Sequence, residues 1–273
     1  MRRGGSRFFW RGQPAQWAID RLPGGRQRYA TTHLMKSDRY FYSATAALIL
    51  VITIVGFFTF FTTGHGAGGR IIAPGIMPIV IVHGMGITAW YVLSLVQSLL
   101  ITVKNRKLHM LLGWSAVGLV PVTSASGVLV ALRSAQNSPN FNFFGMNYHD
   151  FLLVMFTEIA VFTGLVTAGI LLRKRPEIHR ALMLSASLSL LLGATTRIPW
   201  LVALFGGDES RLAFFGPVFV LGLILIAVRS LMTRKFDRWL ATGYGITVVA
   251  FLVAEQFSRT DAWRQVAGSL LKG

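Results

Sequence analysis

Six histidines, His33, His65, His83, His109, His149 and His179, are the side chains of this sequence best suited to hold a metal or a cofactor. The chain has no cysteine, which excludes disulfides, iron–sulfur clusters, zinc–thiolate sites, a thiol nucleophile and covalent C-x-x-C-H haem attachment. Any metal must therefore be held by imidazole, thioether or carboxylate groups. Four of the histidines fall near the ends of apolar stretches, His83 and His149 toward one side, His109 and His179 toward the other. Two further ionisable residues, Glu158 and Arg197, lie inside apolar stretches. A charge there is costly and normally faces the bundle interior or a cavity, which makes both functional candidates. Ser124 and Ser126 lack the base and orienting partner that a nucleophile needs. The glycine-rich run at 64–69 has no following Lys-Ser/Thr and no strand context, so it is no phosphate loop.

The elements that must position these residues are membrane spans. Of 273 residues, 53% are hydrophobic and 14% charged, against about 25% charged in an ordinary soluble domain. This excludes a water-soluble enzyme, a disordered chain and a disulfide scaffold. A transmembrane helix needs about 20 mostly apolar residues, and seven stretches qualify: 43–62, 76–102, 110–131, 150–172, 181–206, 211–232 and 239–257. The intervening segments alternate between rich and poor in Lys and Arg, and 20 of the 27 basic residues fall on one face. By the positive-inside rule the N-terminus is expected in the cytoplasm and the C-terminus on the far side. The formal charge of +17 is then an anchor against anionic headgroups of the lipid bilayer rather than a nucleic-acid surface. The expected fold is an all-α polytopic transmembrane bundle of seven helices. Its parts are a basic, aromatic N-terminal arm (1–42), the membrane domain (43–257) and a short outer segment (258–273).

The arm carries Arg2, Arg3, Arg7, Arg11, Arg21, Arg26 and Arg28 interleaved with Phe8, Phe9, Trp10 and Trp17. Without an apolar core before residue 43 it does not read as a secretory signal. Two readings stay open: a loosely ordered tail, or an interfacial arm that docks other membrane subunits.

An internal repeat relates helices 2–3 to helices 4–5. Residues 101–116 (ITVKNRKLHMLLGWSA) align with 170–186 (ILLRKRPEIHRALMLSA) after one insertion, pairing Ile101, Arg106, His109, Leu112, Ser115 and Ala116 with Ile170, Arg175, His179, Leu182, Ser185 and Ala186. Each unit carries one outer and one inner histidine. At helical spacing, Trp90 and Gln97 share a face with His83. Gly113, Ala116 and Gly127 follow His109, and Ala186, Gly193 and Arg197 follow His179. Such small-residue faces let helices approach closely or leave room for a flat cofactor. Arg197 projects about 27 Å above His179, to the expected height of His83 and His149. Glu158 lies about 13 Å inward from His149 and on the opposite side of its helix.

Four histidines on alternate helices at two heights resemble the cytochrome b561 family, whose second and fourth, and third and fifth, helices ligate two b-type haems. The resemblance implies haem iron held by His83 with His149 and by His109 with His179. The wording of residues 38–271 is similar to uncharacterised bacterial seven-helix inner-membrane proteins. The shared motifs are H-x6-W-x6-Q-x2-L-I (from His83), H-x2-L-G (from His109) and P-E-x-H-x2-L-M-L (Pro176 to Leu184), with a closing D-A-W-R (Asp261 to Arg264). That resemblance implies a multi-pass location in the bacterial inner membrane and assigns no activity. The leading expectation is b-type haem binding and transmembrane electron transfer, with Arg197 pairing a haem propionate. The alternatives are a non-enzymatic structural or assembly subunit of a larger complex, and a metal-dependent hydrolase or small-molecule transporter with His65, His83, His149, Asp150 and Arg197 around an outer cavity. For a transporter, breaks near the midplane would fall at Pro121 or Pro217.

Overall fold

The computed structural model describes residues 26–66, 70–138 and 142–271, with side chains from residue 40 onward. These residues are almost entirely helical and form no strand beyond an isolated bridge between Phe143 and Met146. In chain order the helices are α1 (Arg26–Gly56), α2 (Phe58–Thr63), α3 (Met77–Thr102), α4 (Arg106–Gly113), α5 (Ser115–Asn137) and α6 (Tyr148–Leu171). They continue with α7 (Pro176–Ser189), α8 (Leu192–Thr195), α9 (Pro199–Leu204), α10 (Arg211–Thr233), α11 (Arg238–Ser258) and α12 (Asp261–Leu271). Of the expected arm, residues 1–25 lie outside the described residues, and residue 42 is no boundary, because α1 runs through it.

Six segments among the described residues are long and apolar enough to cross a membrane: α3, α4 with α5, α6, α7 with α8, α10 and α11. This is the architecture of a multi-pass membrane protein. The seventh expected span, 43–62, covers the apolar part of α1, Tyr40–Gly56, and, after a turn at Phe57, the separate α2. The turn has a packing cause. A Cβ on Gly56 would stand 2.3 Å from the carbonyl oxygen of Ala194, so α1 presses its backbone directly onto α8. The expected span 181–206 is likewise divided into α7, α8 and α9. Ile198 is extended (φ −100°, ψ 101°) because the ring of the following proline disfavours helical geometry there. Pro121 and Pro217 sit inside α5 and α10 without ending either helix. The breaks therefore occur at residues 57 and 190–198.

The α7–α8 segment is the most buried of the six spans. It contributes Leu188, Leu191 and Leu192 to the core, and its hydroxyls turn back on its own carbonyls, as Ser189 Oγ does to Ala186 O at 2.9 Å. Helices α6 and α11 pack against it, while α3 packs against α1 and α5. Trp90 of α3 meets Phe162 of α6 edge-on, with centroids 4.9 Å apart, and donates from Nε1 to Ser187 Oγ at 3.1 Å. At the basic face, Arg229 of α10 is 2% exposed. It binds Asp237 Oδ2 through Nε at 3.2 Å and lies 5.3 Å from the ring centroids of both Phe41 and Tyr42 on α1. The expected outer segment 258–273 contains α12, which buries Trp263 and Ala267 against α5 and α6.

Candidate functional site

The two inner histidines are brought together. Asn105 starts α4 by accepting the Leu108 N–H at 3.2 Å, and Pro176 starts α7 at a position where its missing N–H costs nothing. Each start places a histidine one turn into its helix. His109 Nδ1 donates to Gln97 O at 3.3 Å, and His179 Nδ1 donates to Gly169 O at 2.8 Å. In both cases the acceptor is a carbonyl near the end of the preceding helix. The bonds fix the ring orientation and leave Nε2 as the nitrogen available to a ligand, which is how a metal-binding histidine is normally held. The ring centroids are 6.4 Å apart with planes at 88°.

That separation fits one metal between two imidazoles. Metal–nitrogen bonds of about 2.0 Å in a straight line put two imidazole centroids about 6.3 Å apart, close to the separation seen. A second observation agrees. Gln97 Oε1 is buried beside the pair, with no hydrogen-bond partner among the described residues. Helix α4 packs on α3 and α5, and α7 packs chiefly on α6 and α11, with a smaller contact to α3. Arg106, in the first turn of α4, lies within electrostatic reach of His109.

The two outer histidines are not brought together. His83 Nδ1 donates to Thr123 O at 3.1 Å, with Ser126 Oγ at 3.3 Å. A Cβ on Gly127 would lie 2.8 Å from His83 Cε1 and 3.1 Å from Ile159 Cδ1. The small-residue face of α5 therefore accommodates His83 itself rather than a flat cofactor. His83 is also level with Ile159, ten residues, or about 15 Å, along α6 from His149. His149 sits at the far end of α6, where its carbonyl accepts the Trp263 Nε1–H at 2.7 Å.

Arg197 occupies the break between α8 and α9. Its Nη1 returns to Gly193 O, and its guanidinium carbon lies 4.5 Å from the ring centroid of Phe57, the residue at which α1 ends. The two breaks thus face each other across the Gly56–Ala194 contact. Arg197 is within electrostatic reach of His83, Arg70 and Glu158. Glu158, at the middle of α6, is also within reach of Tyr91. Phe57, Gly56 and Ile198–Pro199 carry this arrangement; the X-Pro dipeptide is the one sequence signal that points to it. Arg197 is separated from the inner pair by most of α7 and α8, so it does not serve a propionate of a group bound there.

The constellation expected for a metal hydrolase does not assemble. His65 bonds Thr63 Oγ1 at 3.0 Å in the loop after α2. Asp150 is buried with its backbone N–H on Asn147 Oδ1 at 2.9 Å, and it lies near Arg211 rather than His83. Among the described residues no group of three His, Cys, Asp or Glu could hold a metal ion. A cavity of about 620 Å³ on this side is lined by Ile72, Pro74, Met77, Pro78 and Ile81, with no imidazole or carboxylate among them. No protein family, curated protein or solved structure matches the chain.

Proposed function

We propose that this protein binds one b-type haem at its basic face, with His109 and His179 as the two axial ligands, and takes part in electron transfer there. The observation that supports this reading is the His109–His179 separation of 6.4 Å, with both Nδ1 atoms committed to backbone carbonyls. Neutral imidazoles held in this way present Nε2 lone pairs without paying for a buried charge. A haem bound between them supplies one-electron chemistry. Arg106 is placed to neutralise a propionate, the role first expected of Arg197. The like bonding of the two histidines, each to a carbonyl of the helix before it, supports the duplicated helix pair. The proposal has one haem rather than two, because His83 and His149 stand at different depths. The basic loops at the same face support a location in the bacterial inner membrane, with that face in the cytoplasm.

The test is a reduced-minus-oxidised absorption spectrum of the protein purified from haem-replete cells. Soret and α bands that vanish in His109→Ala and His179→Ala, and persist in His149→Ala, are the expected result. A colourless wild-type protein from such cells overturns the proposal.

A further inference from the structure

Arg197 is a guanidinium placed within the far half of the bundle without an ion pair. Among the described residues its partners are the Gly193 carbonyl and the Phe57 ring, and neither carries a charge. Glu158 acts on it only through space and has no hydrogen-bond partner of its own among the described residues. Arg70, from the loop before α3, adds a second positive charge within electrostatic reach. Arg197, Phe57 and Gly193 are each half-buried. The position of a Cβ on Gly193 lies 3.6 Å from Arg197 Nη1 and 3.7 Å from Phe57 Cζ. Glycine there leaves the space beside the guanidinium open.

A planar fork of five donors, with one N–H group used and an aromatic ring on one side, suits a planar oxyanion. We propose that the facing breaks at Phe57 and Arg197 form a binding site for a small planar oxyanion, a carboxylate, bicarbonate or nitrate, which enters from the far side and pairs with Arg197. The site is independent of the histidine pair, which lies at the opposite face.

The experiment measures the thermal unfolding midpoint of the full chain in neutral detergent, titrated with acetate, bicarbonate or nitrate at ionic strength held constant with sodium chloride. Binding to the folded state raises the midpoint in a saturable way. The expected result is a saturable rise in wild type, abolished in Arg197→Gln and in Gly193→Val, which keeps the arginine but fills the space beside it. The absorption spectrum of Arg197→Gln should match wild type, which separates this site from the haem proposal. Equal rises in wild type and Arg197→Gln, or no rise in wild type, overturn the inference. So does stabilisation by phosphatidylglycerol nanodiscs with no response to the free anions, which would make the site one for a lipid headgroup.

Discussion

His109 and His179 stand edge to face with ring centroids 6.4 Å apart, although α4 packs chiefly on α3 and α5 and α7 chiefly on α6 and α11. If the pair holds a haem as proposed, loss of either ring would leave one imidazole to hold it. His109→Ala and His179→Ala should each lower haem content by tenfold or more as read from the pyridine haemochrome, the scale on which disturbing even the outer-shell support of a metal ligand acts. His83→Ala should leave the spectrum unchanged, since its Nδ1 serves Thr123 in α5.

Gly56 touches Ala194 backbone to backbone. Gly56→Val must push α1 off α8, and the cost should be at least about 2 kcal/mol, in the range of core overpacking. The measurement is the unfolding midpoint in detergent. Gly75→Ala, where an added Cβ meets nothing within 4 Å, is the matched control and should fall within about 0.5 kcal/mol of wild type.

Glu255 is the shared acceptor of Arg211 and Arg259, with its side chain 8% exposed. Replacing it with Gln leaves Arg211 facing an uncharged partner at a largely buried site, and a destabilisation of about 3 kcal/mol is expected. Arg259, 47% exposed, contributes far less, and Arg259→Ala should cost under about 1 kcal/mol. Equal losses for the two variants would contradict this assignment.

Trp263 fastens α12 to the far end of α6 through its Nε1–H on the His149 carbonyl. Trp263→Phe removes that bond alone and should cost about 1 kcal/mol, whereas Trp263→Ala also opens a cavity and should cost about 3–5 kcal/mol. Hydrogen exchange should speed up over 261–271 before it changes elsewhere.

Much of this arrangement is legible in the residues themselves. Six of the seven apolar stretches coincide with spans, because length and apolarity are local properties. The nearness of His109 and His179 follows from two basic loops that end at one face and start their helices in the same way. The turn at Phe57 is not legible, since nothing around Gly56 announces that its backbone must meet Ala194 in a distant segment. Looking for breaks at Pro121 and Pro217 misses the true one, because a proline held inside a packed helix can be accommodated while Pro199 redirects Ile198. Pairing His83 with His149 by counting from helix starts fails for a related reason: α6 and α3 do not begin at the same height.

Arg229 brings residues from both ends of the chain to one point: Phe41 and Tyr42 of α1, and Asp237 at the start of α11. During synthesis, α1 is made long before α10 and α11 leave the ribosome. Tyr42 can meet Arg180 of α7 earlier, but the contact of the aromatic pair with Arg229 must wait until nearly the whole polypeptide has been made. Closure of the bundle is a late event in biogenesis, and a nascent chain stopped before residue 229 would present an unfinished N-terminal helix to membrane quality control.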